Sequence, residues 1–312
     1  MHESQIDEAV SNDDKRSRET YLPLVGFALV CALPLLLDWN STRALGLLAL
    51  NNDTYSHIPL IPLVTLFLIY MDRRSIFACP SYGWRTGTAF LFPGIAGLVV
   101  ARLNLGLAPA DHLSLLMFAV VLIWIGAFAL FFGTVAFRRA LFPLLFLFFA
   151  VPIPDMFLSQ LITVLQRRSA DAAAAMFNLT GVPVLRQDLV FVLPGISIRV
   201  AEECSGIRST LALMITTVLA AHFFLRSRWS MLVLCALVLP IAILKNGMRI
   251  ATLTILAVYV NPGFLYGNLH HYGGIPFFLL DLLMLGLFLV LLRRLERGGV
   301  GHPSGPSAQP AR

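Results

Sequence analysis

Charged residues are scarce in this sequence. Only 13% of its 312 residues are Asp, Glu, Lys or Arg, whereas 58% are hydrophobic and the mean hydropathy is +0.80. Soluble domains carry about 25% charged residues, so the composition excludes a chain made mainly of soluble domains. The net charge of +6 does not indicate nucleic-acid binding, because Lys and Arg fall in short clusters between apolar runs, as they do in membrane proteins.

Cysteine is also scarce, and the chain holds only Cys31, Cys79, Cys204 and Cys235. Their spacing fits neither a disulfide framework nor a zinc site, so we predict no metal and no cofactor. Cys31 and Cys235 lie within apolar runs, where a thiol behaves as a small hydrophobic group. Cys204 differs from them because charged and polar residues surround it.

Long apolar runs make up most of the chain, and a membrane-spanning helix needs about 20 apolar residues. We predict an all-α polytopic membrane protein, with one integral membrane domain over residues 21–297. Residues 1–20 are predicted to be a disordered cytoplasmic N-terminus without a cleavable signal peptide, and residues 298–312 a disordered tail. The eight firmest predicted transmembrane helices cover residues 21–37, 58–71, 88–103, 112–133, 137–151, 204–225, 229–244 and 275–292. A ninth apolar run, 250–260, is predicted to dip into the membrane and return or to lie along its surface.

Basic clusters orient these spans, because cytoplasmic connections carry an excess of Lys and Arg. The clusters fall at every second connection or end, at residues 15–18, 73–85, 138–139, 226–228 and 293–297. With all of them in the cytoplasm, the connections 38–57, 104–111, 152–203 and 245–274 face outward. Cys204, Arg249 and His270 then all lie at the outer membrane surface.

The longest outward segment has its own secondary-structure pattern. Residues 157–177 have the spacing of an amphipathic helix that lies externally, in the membrane interface. Two β-type runs follow at 189–192 and 196–200, and the Pro-Gly pair between them indicates a short β-hairpin. This hairpin leads the chain to Cys204.

Cys204 lies in the polar stretch 201–210, just before an apolar run. The free N–H groups and the dipole of a helix N-terminus would stabilise its thiolate, and Arg208, one helical turn later, would add to this effect. Gly206, next to Ser205, leaves the backbone open to a substrate. The two glutamates before Cys204 oppose thiolate formation unless they point away. The alternative to a nucleophile is an interface cysteine without a role.

Arg249 lies in a polar interruption between two apolar runs. Its planar fork of donors suits an oxyanion or carboxylate, and Asn246, one helical turn earlier, would orient it. The alternative is an arginine that extends its side chain to the interface.

His270 and His271 stand among glycines in a predicted outer connection. Without a Cys or carboxylate at suitable spacing they are a weak metal signal, and general acid or base chemistry beside a cysteine suits them better. The alternative is a histidine bonded to backbone in a tight turn. His57, at the start of the second predicted span, is a candidate for contact with the substrate or for support of the site; an interface histidine facing water is the other interpretation.

Several motifs together resemble the exosortase/archaeosortase family of membrane cysteine transpeptidases. The first runs from Glu203 through Cys204 to Arg208, the second from Asn246 to Ile250, and the third places His270 before Gly273-Gly274 and Phe277-Phe278. Supporting matches are Tyr55-Ser56-His57 with Leu60-Ile61-Pro62, then Pro152-Ile153-Pro154, and Leu165-Gln166 ahead of Gly181-Val182-Pro183. The order and spacing of these matches carry the resemblance over residues 51–294.

The resemblance implies an enzyme of the bacterial inner membrane with its active site facing the periplasm or exterior. Its partners would be membrane lipid and exported proteins that end in a Pro-Glu-Pro-type motif, a transmembrane helix and a basic tail. The family's functional Cys, Arg and His correspond to Cys204, Arg249 and His270, and His271 is the reserve candidate. Neither the substrate proteins, the acceptor nor the oligomeric state follows from the sequence.

Two other functional classes remain open at this point. A small transporter or a polysaccharide-export scaffold would place ionisable groups along its spans, where this sequence has few, chiefly His222 and Asp281. An intramembrane protease would bury its nucleophile within a helix bundle. Charges gathered at the interfaces favour a surface site over both.

Overall fold

A computed structural model describes residues 22–78, 81–103, 106–193, 196–200, 205–261, 263 and 274–298. The predicted site residues Cys204, His270 and His271 lie outside these described residues, as do the predicted N-terminal segment 1–20 and residues 299–312 of the predicted tail 298–312. By their internal contacts the residues divide into a first unit that ends at Phe157 and a second unit that begins at Leu158. The prediction of one membrane domain stays a prediction.

The first unit is helical. Its helices are α1 Leu22–Leu37, α2 Trp39–Asn51, α3 Leu60–Met71, α4 Arg73–Ile76, α5 Trp84–Arg102, α6 Pro109–Arg139 and α7 Leu141–Phe146. Single 3₁₀ turns occur at Asp53–Tyr55 and Leu147–Ala150, and α8 Asp155–Thr180 continues into the second unit.

In the second unit α8 is followed by three short strands and three helices. The strands are β1 Leu185–Gln187, β2 Val190–Leu193 and β3 Ile196–Arg199, and the helices are α9 Ile207–Phe224, α10 Arg228–Tyr259 and α11 Gly274–Gly298. The strands form an antiparallel sheet in the order β1-β2-β3. Val190 pairs with Arg199 and Leu193 with Ile196, which confirms the predicted hairpin. Strand β1 was not predicted, because three residues carry too little pattern.

The predicted apolar helices of membrane-spanning length are present, and the count of eight or nine spans stays a prediction. Within the described residues six helices are long and apolar enough to cross a membrane, and up to eight if each of two bent helix pairs counts as one span. The predicted external helix at 157–177 forms as part of α8; its place at the interface remains a prediction.

The predicted segments differ from the helices of the structure in three places. The two separate runs 229–244 and 250–260 form one helix, α10, of 32 residues. The supposed outward connection 38–57 contains helix α2. The predicted span 137–151 is instead the end of α6, the short helix α7 and a 3₁₀ turn.

The continuity of α10 has a physical explanation. Lys245 and Asn246 are polar but buried, and Lys245 has partners on neighbouring helices, so burial of this stretch does not require the helix to break. The polar residues thus lie inside a helix rather than in a connection. At 1.5 Å per residue this helix is about 48 Å long, which is more than the roughly 30 Å of hydrocarbon in a bilayer.

Two hydrophobic clusters hold the second unit together, and α10 contributes to both. In one cluster Phe177 of α8 meets Phe191 of β2 edge-on at 5.4 Å between ring centroids, and Ile250 of α10 packs beside them. In the other, Leu213 of α9, Val238 of α10 and Leu285 of α11 pack together. The polar stretch of α10 lies between its contributions to these two clusters.

Candidate active site

The N-terminus of α9 is built by two residues that follow Cys204. Gly206 is the N-cap with φ of +77°, and Ser205 is 1% exposed. The Ser205 Oγ accepts a hydrogen bond from the Ile207 N–H at 3.3 Å, and the Gly206 carbonyl accepts one from the Thr210 N–H at 2.9 Å. Positive φ is a conformation that glycine adopts without steric cost, which explains a glycine at this N-cap. Its predicted role as a backbone position open to substrate remains a prediction.

Gly206 lies against Asn246 of α10. A Cβ on Gly206 would be 3.3 Å from the Asn246 Cγ and 3.4 Å from its Oδ1, closer than ordinary van der Waals contact. Asn246 is 2% exposed. The structure thus brings together two predicted supporting residues that are forty positions apart in the sequence.

Val200, the residue just before the segment 201–204, is bonded to α8. The Gln166 side chain, 7% exposed, donates from Nε2 to the Val200 carbonyl at 3.3 Å. The Val200 N–H in turn donates to the Leu189 carbonyl at 2.9 Å. Both flanks of the segment that carries Cys204 are therefore bonded within the second unit.

Gly247 fixes α10 on α8. A Cβ at this position would be 2.6 Å from the Ala172 Cβ and 3.1 Å from the Ala173 backbone nitrogen. Any larger residue would force the two helices apart, because the contact includes backbone. The short polar stretch of α10 thus touches α8 through Gly247 and α9 through Asn246.

Arg249 lies half-buried on α10, three residues after Asn246. Its charge is near enough to Lys245 for the two cations to interact electrostatically. A fixed cation at this position could stabilise a developing oxyanion or hold a carboxylate.

A family model described as transmembrane exosortase matches residues 39–287. This range covers well over half of the chain and includes every predicted site residue. The chain belongs to the transmembrane exosortase family. With its apolar helices, this membership makes it an integral membrane protein. No curated protein and no solved structure matches the chain.

Two further residues predicted to support the exosortase site have defined positions. Arg208 is exposed in the first turn of α9, and its effect on a thiolate remains a prediction. His57 belongs to the first unit, where it is half-buried close to the backbone of Phe149 and Thr54. Its two interpretations, a contact with substrate or support of the site and an interface histidine facing water, both remain predictions.

Lys245 is the residue that sequence reasoning missed in this exosortase. It lies directly before Asn246, and it donates from Nζ to the Ser209 Oγ at 2.7 Å. It also pairs with Asp281 of α11 at 3.2 Å between Nζ and Oδ2. Asp281 was noted as an ionisable group within a span, and the rule that such a charge has a partner could have directed attention to Lys245.

A groove of about 870 Å³ lies at the C-terminal ends of α9 and α11, away from the N-terminus of α9. Arg226, Arg293 and Glu296 are among its lining residues, and none of the predicted site residues is. The Glu296 carboxylate accepts hydrogen bonds from the backbone N–H groups of Arg226 and Ser227, at 3.0 and 2.9 Å, so it caps the start of α10. Within the described residues no group of three or more His, Cys, Asp or Glu could hold a metal ion.

Proposed function

We propose that this exosortase is a membrane cysteine transpeptidase that cleaves C-terminal sorting signals of exported proteins. Cys204 is the nucleophile, Arg249 stabilises the oxyanion and His270 is the general acid, with His271 as the reserve. The substrates carry a Pro-Glu-Pro-type motif, a transmembrane helix and a basic tail. The enzyme resides in the bacterial inner membrane, with its site facing the periplasm.

The contact between Gly206 and Asn246 is the observation that carries the proposal. It joins the residues that directly follow Cys204 to the turn of α10 that leads to Arg249. A cysteine nucleophile needs hydrogen-bond donors close by that stabilise the charge on the attacked carbonyl oxygen, and a guanidinium supplies such donors. The chain's membership of the family agrees with the resemblance that implied this assignment of Cys, Arg and His.

The reaction proceeds in two acyl transfers. The Cys204 thiolate forms a C–S bond to the carbonyl carbon at the sorting motif, and negative charge develops on the oxygen beside the Arg249 guanidinium. His270 gives a proton to the departing amine as the C–N bond breaks, which releases the transmembrane helix and basic tail. An amine or water then attacks the thioester and restores the thiol.

Substitution of Cys204 tests this proposal. In cells that produce a substrate with motif, helix and basic tail, Cys204→Ala and Cys204→Ser should leave the substrate at its full length on a gel while the enzyme still inserts. Cys235→Ala, which removes a partly exposed cysteine of α10, is the matched control and should process normally.

A trapped intermediate would make the assignment direct. The wild-type protein should form a substrate adduct that hydroxylamine releases, as expected of a thioester, and Cys204→Ala should form none. Processing by Cys204→Ala at the wild-type rate would overturn the proposal.

A further inference from the structure

A series of polar contacts connects three helices of the second unit. Asp281 of α11 pairs with Lys245 of α10, and Lys245 donates to the Ser209 hydroxyl of α9. Ser209 in turn donates from Oγ to the Gly206 carbonyl at 2.9 Å. The contacts therefore run from the interior of α11 to the second residue after Cys204.

The ion pair in this series is fully enclosed. The side chains of Lys245 and Asp281 are 4% and 0% exposed. Apart from the ion pair, neither carboxylate oxygen of Asp281 accepts a hydrogen bond from the described residues. A buried pair with unsatisfied oxygens is a weak source of stability, because desolvation offsets most of its attraction.

What such a pair does provide is a fixed alignment of the two helices along their axes. A slip of one helical turn moves a side chain by about 5.4 Å along the axis, which would separate the two charges in an apolar surrounding. An apolar pair has no comparable preference, because hydrocarbon contacts are non-directional. The pair therefore selects one alignment of α10 with α11, and Ser209 extends this selection to α9.

We propose that Lys245, Asp281 and Ser209 are positioning residues that align the three catalytic segments of the exosortase. Helix α9 follows Cys204, α10 carries Arg249, and α11 follows the segment with His270. This inference rests on the proposed function. None of the three residues is assigned contact with the substrate.

The decisive variant is the apolar pair Lys245→Met with Asp281→Leu, compared with each single substitution. Each single variant leaves one charge buried alone and should lose both stability and processing. The double variant should regain abundance and thermal stability, because no charge remains unpaired. Its kcat for substrate cleavage should nevertheless stay roughly 100-fold below wild type with KM unchanged, as expected for misplaced reacting groups.

Ser209→Ala is a milder variant that removes only a neutral hydroxyl. This variant loses the two hydrogen bonds that the Ser209 hydroxyl makes, to Lys245 and to the Gly206 carbonyl. A misplacement of reacting groups by about 1 Å costs up to roughly 100-fold in rate, so we expect this smaller change to lower kcat about tenfold. Thr217→Val is the matched control on α9: it also removes a neutral hydroxyl, but that hydroxyl is buried and bonds to Leu213 of the same helix. The control should process at the wild-type rate.

Distances between spin labels report the register without any need for activity. Labels at the exposed positions Tyr259 of α10 and Leu279 of α11 should give one narrow distance distribution in a background without native cysteines. The apolar pair should broaden or shift this distribution by several ångströms. The Thr217→Val control should leave it unchanged.

The outcomes separate this inference from the proposed function. An apolar pair that processes substrate at the wild-type rate, or that keeps the narrow label distribution, overturns the positioning role. Processing by Cys204→Ala overturns the proposed function instead. In that case the spin-label distances alone test whether the ion pair aligns the helices. A Ser209→Ala variant that matches Thr217→Val removes α9 from the series of contacts.

Discussion

Helices α6 and α10 span nearly equal stretches of 31 and 32 residues, although α6 is kinked at Gly133, where φ is +86°. The two helices bury different kinds of side chain. The buried residues of α6 include no charged group, and its one buried hydroxyl, Ser114, bonds to its own helix at Ala110. Helix α10 buries Lys245 and Asn246 and directs both at α9. The comparison separates a helix that packs through shape from one that also packs through polar contacts.

Shape determines how α6 meets α5. A Cβ on Gly126 would be 2.7 Å from the Leu91 backbone nitrogen and 2.9 Å from the Gly87 carbonyl oxygen, so the backbones approach each other closely. Small residues at such crossings are typical of membrane helices, because lipid tails compete for apolar contacts and close packing is what remains. In α10 the polar stretch adds contacts that depend on chemical identity as well as on size. We therefore expect changes in α6 to act on stability and changes in the polar stretch of α10 to act on activity.

Arg249→Lys should give the largest effect. Lysine keeps the charge but loses the planar fork, so processing should fall by about 100- to 1,000-fold, the range for loss of an oxyanion donor. The unfolding temperature should change little, because the position is only half-buried. Cleavage of a sorting-signal substrate and a thermal melt in detergent measure the two quantities. Equal activity of Arg249→Lys and wild type would count against a directional role for the guanidinium.

Gly126→Ala should have the opposite profile. Overpacking of this kind costs about 1–3 kcal/mol, so the free energy of unfolding should fall by that amount. The kcat of the protein that remains folded should equal that of wild type, because Gly126 belongs to the first unit and to no part of the proposed site. Loss of specific activity without loss of stability would break the contrast between the two helices.

Gly206→Ala should destabilise the protein less than Gly126→Ala does. The left-handed conformation costs a residue with a side chain about 1–2 kcal/mol, and the Asn246 carboxamide must move slightly to admit a Cβ. The rate of substrate processing should fall as well, since the Gly206 carbonyl and the Asn246 carboxamide position the α9 N-terminus.

Gly286→Ala is the matched control for this substitution, because a Cβ there would meet nothing within 4 Å. It should leave both stability and processing unchanged. If the two alanine variants behave alike, the contact between Gly206 and Asn246 has no functional weight.

The sequence was sufficient wherever information is local. Runs of apolar residues predicted membrane helices, the spacing of 157–177 predicted the helix that forms as part of α8, and a Pro-Gly pair between β-type runs predicted the hairpin of β2 and β3. The motifs and their order also resembled the exosortase family, and the family match confirmed this resemblance. These features depend on neighbouring residues, so they can be recognised without knowledge of what packs against them.

Local polarity was misleading where distant residues supply the partners. The stretch around Lys245 was predicted to interrupt the membrane segment, because a buried ammonium without a partner is costly. The partners are Ser209 and Asp281, each 36 residues away from Lys245 in the sequence.

Composition and pattern thus determined that this chain is a helical membrane protein, and motif order singled out Cys204, Arg249 and His270 as candidates. Only the tertiary structure decided that α10 is continuous, that Asn246 faces Gly206, and that Asp281 pairs with Lys245. The physical reason is that the free energy of a buried polar group depends on the groups that surround it. In a membrane protein those groups come from other helices, which the local sequence does not specify.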